Sequence, residues 1–255
     1  MQGMINWSDK KELASRSFRS MGGLAAVTLS ASSSDRIESI TAQVRTLFEQ
    51  LEKDLSTYRP DSVISQLAEK AEVAPLAVPD DAFRLLGLGK HYGELSDGAF
   101  DITIPPLARP WGFGRVPEPP AVPTETAIQE TRKLVDYRRL VLAEGTAFLP
   151  LKGMAVDLGG IVKGYAVDRA FDLCRRAGIE DFLIDLRGNI RTNGRPRWRE
   201  KWQIGVRDPF DSSRIIGKVS LQNGMALATS GSYERFVEIT ANTTPMSLTP
   251  GRGTL

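Results

Sequence analysis

From residue 181 onward the sequence is a succession of short alternating segments separated by turn residues. DFLIDLRG, NIRTNGRP and KWQIGVRDP each show the period of two that is typical of strands, and each ends in residues that favour turns. Strands joined by such short turns pair as hairpins, which gives antiparallel sheets. Crossovers of the strand–helix–strand kind are few, so we predict an α+β fold with mixed, largely antiparallel sheets and packed helices.

Helical periodicity dominates the earlier part of the chain. In SSSDRIESITAQVRTLFEQLEKDLS, apolar residues recur at helical spacing behind a serine run that supplies an N-cap. PDDAFRLLGLGKHYGELSDG and GGIVKGYAVDRAFDLCRRAG are predicted helices, SFRSMGGLAAVTLS a glycine-interrupted strand, and a further strand is predicted to end at Asp157. GAFDITIPPLARPWGFGRVPEPPAVP lacks a period, so it is predicted to be a loop with packed aromatic residues and a proline-rich linker.

Composition limits the kinds of partner and metal site. The 255 residues are predicted to form a single domain, and 33 basic against 31 acidic residues give a net charge of +2, which is too balanced for a nucleic-acid footprint. With one cysteine and one histidine, a metal site must use oxygen ligands, which favours Mg²⁺. Cys174 is predicted to be a buried structural thiol, and His91 a surface or helix-end residue.

Three short stretches carry groups suited to binding an anion or a heterocycle. In MAVDLGGIVKGYAVDRA, two glycines precede a helix with Lys163 in its first turns, an arrangement suited to phosphate. A tight turn with a solvated lysine fits equally well. In SDGAFDITIPPLARPWGFG, Asp97 and Asp101 accompany aromatic residues that can stack on a planar ring, or they cap a turn beside core aromatics. In LATSGSYERF, a Ser/Thr/Gly turn after a strand is a further phosphate candidate or a plain turn.

Taken in order, these stretches and three others resemble the FAD:protein FMN transferase family, also called ApbE or the thiamine biosynthesis lipoprotein family. The resemblance implies an ApbE-like fold and Mg²⁺-dependent transfer of FMN from FAD to a Thr or Ser hydroxyl of a target flavoprotein, with release of AMP. It covers nearly all of the chain, and its blocks are RSMGG, LSTYRPDS, SDGAFDITIPPLARPWGFG, AVDLGGIVKGYAVD, DFLIDLRGNI and ALATSGSYERF.

The same resemblance implies roles for particular positions. The Gly160 carbonyl is expected to be a Mg²⁺ ligand, and no catalytic residue is assigned. The sequence departs from the family pattern at Gly23, where Thr is common, and at Ser232, where Asp is common. The residues expected to contact FAD are Met21, Tyr58, Ala99, Phe100, Asp101, Asp157 and Lys163.

The last residues, ITANTTPMSLTPGRGTL, depart from the family, which continues there into a His-[IV]-Ile-Asp-Pro-Arg-Thr-Gly loop. One permitted back-translation of PMSLTPGRGT, regrouped in the neighbouring frame, encodes His-Val-Ile-Asp-Pro-Arg-Thr-Gly-His. We therefore predict that residues 240–255 are out of frame and that the domain, residues 1–255, is incomplete at its C-terminus. The family's candidate base and two further Mg²⁺ ligands would then be missing, so the chain as written is expected to be inactive.

Two alternatives to a working transferase remain open: a non-catalytic flavin-binding homologue, and an α+β domain that mediates protein contacts. The N-terminus has charges throughout and no signal peptide, and no apolar run reaches the roughly 20 residues needed to cross a bilayer. A cytoplasmic location is therefore expected for the chain as written, although members of the family are often periplasmic or membrane-anchored lipoproteins.

Overall fold

The computed structural model describes residues 12–114, 122–196, 200–211, 213–230, 236–239 and 242–245, the last two segments by their backbone alone. The helices of these segments are α1 Ser34–Leu55, α2 Val63–Glu69, α3 Asp80–Leu95, α4 Pro105–Ala108, α5 Glu125–Arg132 and α6 Val162–Arg176, with 3₁₀ turns at Arg109–Trp111 and Tyr137–Arg139. The strands are β1 Glu12–Ser20, β2 Gly23–Ala31, β3 Leu76–Ala77, β4 Val141–Ala143, β5 Thr146–Phe148, β6 Phe182–Leu186, β7 Asn189–Asn193, β8 Trp202–Arg207, β9 Ile215–Leu221, β10 Ala226–Ala228, β11 Phe236–Ile239 and β12 Asn242–Pro245.

By its contacts the chain divides into two compact units. The first unit comprises residues 1–50 and 163–229, and the second comprises residues 51–162 and 230–255. Every strand pair in the described residues is antiparallel. The expected α+β class with antiparallel sheets is therefore confirmed.

The first unit is built on a five-stranded sheet in the order β1-β2-β6-β7-β10. Helix α1 contacts it through the Phe48 ring, 6.0 Å from that of Phe18, and α6 through the Phe171 ring, 5.2 Å from that of Phe182. Strand β6 buries every second side chain, as its period of two predicts, because the side chains between them point to the opposite face. A separate hairpin, β8–β9, packs Trp202 into a small apolar cluster.

The glycines of SFRSMGGLAAVTLS end one strand and begin another, which corrects the prediction of a single interrupted strand. Ser20 pairs with Gly23 across the β1–β2 hairpin, and the two residues between them, Met21 and Gly22, have φ of +47° and +75°. Positive φ at both central positions is the pattern of the type I′ turn, whose twist matches that of the flanking strands.

The second unit places α3 beside a three-stranded sheet in the order β3-β5-β4. Two glycines of α3 allow close packing: a Cβ on Gly93 would lie 2.7 Å from Cγ of Tyr137, and a Cβ on Gly89 would lie 2.5 Å from Cδ1 of Ile102. Because Ile102 and Tyr137 flank the segments of the candidate site described below, α3 is a support for that site.

Two segments near Asp157 and Trp111 differ from expectation. The prediction that a strand ends at Asp157 is wrong: residues 154–158 pair in no sheet, and the N–H of Asp157 donates to the Ile102 carbonyl at 2.8 Å. The predicted loop contains α4 and a 3₁₀ turn, and it buries Trp111 and Phe113 against Ala108 and Ile128, as a loop rich in apolar residues must.

Other predictions concern single residues and segments that lie wholly or partly outside the described residues. Cys174 is fully buried, which confirms its predicted burial, and burial raises the pKa of its thiol to about 12. His91 is exposed in the last turns of α3. In the part of the chain that the structure describes, no helix is long and apolar enough to span a bilayer. Residues 115–121 of the proline-rich linker, and the predicted out-of-frame segment apart from 242–245, lie outside the described residues.

The packing of α3 predicts opposite effects for two alanine substitutions in that helix. Gly93→Ala forces a methyl group into the Tyr137 ring and should lower the free energy of unfolding by about 1–3 kcal/mol. Gly87→Ala meets only Leu142 Cδ1 at 4.0 Å, so it should raise that free energy by up to about 1 kcal/mol through helix propensity. Urea unfolding measures both; equal changes in the two variants would contradict the packing argument.

A pH dependence is expected from Asp185 on β6. Burial raises the pKa of its carboxyl, against the opposing effect of the Gly188 N–H. A raised folded-state pKa gives stability that is present below the unfolded pKa of about 3.9 and is lost as pH rises through the folded value. Asp185→Asn should therefore stabilise the protein more at pH 7 than at pH 3.5, measured by thermal unfolding against the wild type at each pH. The exposed Asp172→Asn is the control, and equal pH profiles for the two variants would contradict the prediction.

Candidate functional site

The second unit contains a cleft of about 340 Å³, near the lower end of the range of about 300–1,000 Å³ that ligand clefts span. Its walls come from the segment after α1, the segment after α3, helix α4 and the glycine turn before α6. Six residues singled out from the sequence line this one cleft: Tyr58, Ala99, Phe100, Asp101, Asp157 and Gly160.

Asp101 organises the segment after α3. Its Oδ1 accepts from the N–H and the Oγ1 hydroxyl of Thr103, at 2.7 and 2.6 Å, and its Oδ2 accepts from the N–H of Tyr137 at 3.0 Å. Thr103 is fully buried, and its hydroxyl oxygen accepts from the N–H of Asp136 at 2.9 Å. Both carboxylate oxygens are thus engaged by protein donors, and they tie the cleft wall to the segment that begins at Asp136.

Phe100 and Tyr58 provide the aromatic surface of the cleft. The N–H of Phe100 donates to Ser96 Oγ at 2.9 Å, and the ring lies edge-on to that of Tyr92 at 6.3 Å. A Cβ on Gly160 would lie 2.9 Å from Phe100 Cε2, so only glycine at position 160 leaves this ring its place. Tyr58 also lines the cleft and is 51% exposed.

The glycine turn begins at Asp157 and leads into α6. Asp157 Oδ1 accepts from the N–H of Gly159 at 2.5 Å, and the Leu158 carbonyl accepts from the N–H groups of Ile161 and Val162 at 2.9 and 2.8 Å. Gly159 and Gly160 are exposed, so the backbone is accessible where a helix of 15 residues begins. A helix N-terminus favours anions through its dipole and N–H groups.

The glycine turn offers oxygen ligands of the kind that the expected Mg²⁺ would need. No cluster of three or more His, Cys, Asp or Glu residues exists among the described residues, so a metal cage made of protein side chains alone is not found there. The Asp157 carboxylate and the Gly160 carbonyl remain as oxygen donors on the cleft wall. That pair fits an ion held by one or two protein oxygens together with substrate phosphates and water, which is the usual way in which Mg²⁺ binds.

The other predicted residues lie elsewhere in the chain. Met21, in the β1–β2 turn, and Lys163, in the first turn of α6, belong to the first unit. Asp97 is exposed and takes no part in the cleft lining. Thr229 follows β10, whereas Ser232 lies outside the described residues.

Sequence reasoning missed Arg109 and the organising residues Thr103 and Ser96. Arg109 lies on the cleft wall in the 3₁₀ turn after α4 and is exposed, so it can meet an anionic ligand. A signal existed, because Arg109 is the only basic residue in SDGAFDITIPPLARPWGFG. Thr103 has no comparable signal, since its role depends on a backbone group 33 positions away.

Comparison with known proteins identifies the family. The sequence model of the ApbE family matches residues 21–251. The chain belongs to the ApbE family. Similar members are the FAD:protein FMN transferases of Vibrio cholerae, 29% identical over 201 residues, and of Klebsiella pneumoniae, 33% identical over 204 residues. Each of these alignments covers 79% of this chain, but the chain spans only 60% and 62% of the length of the two relatives.

Solved ApbE structures share the fold. The apo form of the Pseudomonas stutzeri flavinyl transferase ApbE aligns with a TM-score of 0.82 at 28% identity, over 94% of this chain and 75% of that one. The ApbE protein of Thermotoga maritima aligns with a TM-score of 0.81 at 26% identity, over 95% of this chain and 79% of that one. The predicted family and its α+β fold are thereby confirmed.

The two aspartates of SDGAFD predict contrasting variants in this ApbE-family cleft. Asp101→Asn turns an amide toward donors that need an acceptor, so it should lower the free energy of unfolding by about 2–3 kcal/mol. Asp97→Asn should change it by less than about 0.5 kcal/mol, because Asp97 is exposed and asparagine tolerates its φ of +51°. Urea unfolding measures both, and an Asp101→Asn protein as stable as the wild type would contradict the assigned network.

Proposed function

We propose that this ApbE-family protein binds FAD and transfers its FMN half to a Thr or Ser hydroxyl of an acceptor flavoprotein, releasing AMP. One observation carries the proposal: aromatic rings, a cation, a carboxylate and a glycine turn at a helix N-terminus all line one cleft. A flavin dinucleotide presents the matching groups, namely planar rings and a pyrophosphate.

The aromatic part of the cleft is suited to the ring systems of FAD. Tyr58 and Phe100 offer ring faces and edges at its wall, and Ser96 holds the Phe100 backbone in place. Stacking between aromatic rings contributes about 0.5–1.5 kcal/mol beyond the buried area. These residues therefore bind and orient the substrate, and Asp101 keeps the segment that carries Phe100 in position.

The polar part is suited to the pyrophosphate. Arg109 supplies a fixed positive charge, and the Gly159–Gly160 backbone lies at the start of α6, where anions are favoured. Asp157 and the Gly160 carbonyl would hold Mg²⁺ together with the phosphate oxygens. When bound, Mg²⁺ neutralises phosphate charge and polarises the bond to be broken. Lys163, in the first turn of α6, is the second cation proposed for FAD binding.

The proposed transfer exchanges a phosphoanhydride bond for a phosphoester bond. The acceptor hydroxyl oxygen forms a bond to the phosphorus of the FMN half, the bond from that phosphorus to the AMP oxygen breaks, and the hydroxyl proton passes to solvent or a base. Such chemistry depends on positioning and charge neutralisation more than on covalent help from the protein. The groups at the cleft are of the kinds that this requires.

A flavin-binding protein without transfer activity is the alternative. It is favoured by the chemistry of the described lining, which offers stacking surfaces, a cation and hydrogen-bonding groups, while the exposed His91 lies on α3 and outside the cleft lining. This alternative shares the FAD site with the proposed enzyme and differs only in the chemical step.

Incubation with FAD, Mg²⁺ and an acceptor protein containing a target Thr separates these functions. Covalent flavin on the acceptor, seen as in-gel fluorescence and as the mass of FMN less water, supports the transferase. Retained FAD without transfer supports the binding homologue. Absence of FAD binding by the wild-type chain contradicts both, and a reaction in EDTA serves as the metal control.

Asp157 variants test the glycine turn. Asp157→Asn removes the negative charge beside the proposed Mg²⁺ position and weakens the hydrogen bond to Gly159, so FAD affinity in the presence of Mg²⁺ should fall by about tenfold, the effect of one charge-assisted contact. The same change at exposed Asp172 of α6 is the matched control. Fluorescence titration of FAD measures both, and unchanged affinity for Asp157→Asn would remove Asp157 from the site.

A further inference from the structure

A groove of about 380 Å³ adjoins the cleft within the second unit. Phe100 and Gly160 line both spaces, so the groove and the cleft share a wall. The cleft is lined in part by Asp101, Arg109 and Asp157, whereas none of the described residues that line the groove is charged. These residues are Tyr92, Leu95, Ser96, Phe100, Gly160 and Ile161. The groove is therefore suited to apolar groups and poorly suited to phosphate.

Large apolar side chains of α3 are exposed at this groove. Tyr92 is 44% exposed and Leu95 is 69% exposed, and residues three positions apart on a helix lie on one face. The side of α3 that packs into the second unit is a different one, since it buries Leu85, Leu86 and Gly89. The outward side of a surface helix usually carries polar residues. Apolar side chains grouped on an exposed surface are typical of a site that binds a partner.

Hydrogen bonds hold the end of α3 in place, so the groove is formed before any partner binds. The N–H of Gly98 donates to the Gly93 carbonyl at 2.8 Å, a bond of the kind that ends helices in the Schellman motif. Ser96 Oγ donates to the Tyr92 carbonyl at 2.7 Å and accepts from the N–H of Phe100 at 2.9 Å. A preformed surface loses little conformational entropy on binding, which favours affinity.

The place of the groove beside the cleft indicates what it binds. In the proposed transfer, the acceptor hydroxyl oxygen must reach the phosphorus of the FMN half, and the pyrophosphate is proposed to lie against the Gly159–Gly160 backbone. Gly160 also belongs to the wall of the groove. A polypeptide seated in the groove would therefore have its hydroxyl next to the bond that the transfer breaks.

We infer that the groove docks the acceptor flavoprotein by taking an apolar side chain that lies near the target Thr or Ser. This inference rests on the proposed function, since it requires FAD in the adjoining cleft. Leu95 is the main anchor of this docking surface, because it is the most exposed large apolar side chain of the groove. The groups that act on the pyrophosphate remain those of the cleft, and the groove positions the acceptor.

The first test measures docking apart from chemistry. The probe is the acceptor protein of the transfer assay with its target Thr replaced by Ala, added to the chain loaded with FAD and Mg²⁺. Leu95→Gln should weaken binding of the probe, measured by biolayer interferometry, by about tenfold, as expected when an interface loses an apolar anchor. Leu95→Met keeps an apolar side chain of similar size and should bind the probe as the wild type does. Val73→Gln is the matched control, because Val73 is 78% exposed and lines neither the groove nor the cleft.

Hydrogen exchange locates the contact without any variant. Binding of the same probe to the FAD-loaded wild type should slow amide exchange in a peptide covering residues 91–100 by about threefold or more, because a partner seated there protects the end of α3. A peptide covering residues 71–77 should show no change. If the probe binds while residues 91–100 exchange as before, the acceptor docks elsewhere and the inference is overturned.

Other occupants of the groove predict different results. If the groove extends the FAD site, Leu95→Gln will weaken FAD binding in a fluorescence titration. If a second copy of the chain covers the groove, the wild type will sediment as a dimer and Leu95→Gln as a monomer. If another segment of the same chain covers it, Leu95→Gln will lower the melting temperature more than Val73→Gln does. Each of these results overturns the inference.

The outcomes also separate the inference from the proposed function. If the wild type binds FAD but not the probe, or if Leu95→Gln binds the probe as tightly as the wild type, the inference is overturned while the FAD site stands. If the wild type does not bind FAD, the proposed function fails and the inference fails with it. Weaker binding of the probe by Leu95→Gln at unchanged FAD affinity supports both.

Discussion

The carboxylate of Asp101 is the interaction on which the candidate site depends. Three donors converge on its two oxygens, from Thr103 and from Tyr137, and a charged acceptor makes such bonds stronger than neutral ones. Tyr137 in turn packs against Gly93 of α3. Through this chain of contacts a regular helix fixes the position of an irregular segment, and the aromatic wall of the cleft follows from it.

The absence of a side chain plays a comparable part at Gly160 in the glycine turn and at Gly23 in the β1–β2 hairpin. The Phe100 ring occupies the space that a side chain on Gly160 would need, and the Arg187 stem occupies the space that a side chain on Gly23 would need. In both cases the absent side chain matters because another side chain occupies the space. Substitution at either position would act by displacing that neighbour, and the backbone conformation itself would not prevent it.

The family match and the chemistry of the cleft support each other, but the first concerns ancestry and the second concerns the groups available to a ligand. The match over residues 21–251 establishes the ApbE family, and the relatives named FAD:protein FMN transferase indicate the chemistry to test. The cleft adds a physical reason to test that chemistry, because aromatic residues, Arg109 and the glycine turn line one space. The residues of the cleft therefore supply the kinds of group that the proposed ligand requires.

Much of the fold and part of the candidate site could be predicted from the sequence. The alternation in DFLIDLRG and the helical spacing from Ile37 onward determined the strands, helices and α+β class, because these periods reflect which side chains each element buries. The segments that resemble the family contain six residues that the structure brings together in one cleft. The tertiary structure alone decided that Asp101 serves as an acceptor for distant backbone N–H groups, that no strand leads to Asp157, and that Arg187 reaches Gly22. Each depends on groups far apart in the chain, and periodicity carries no information about such contacts.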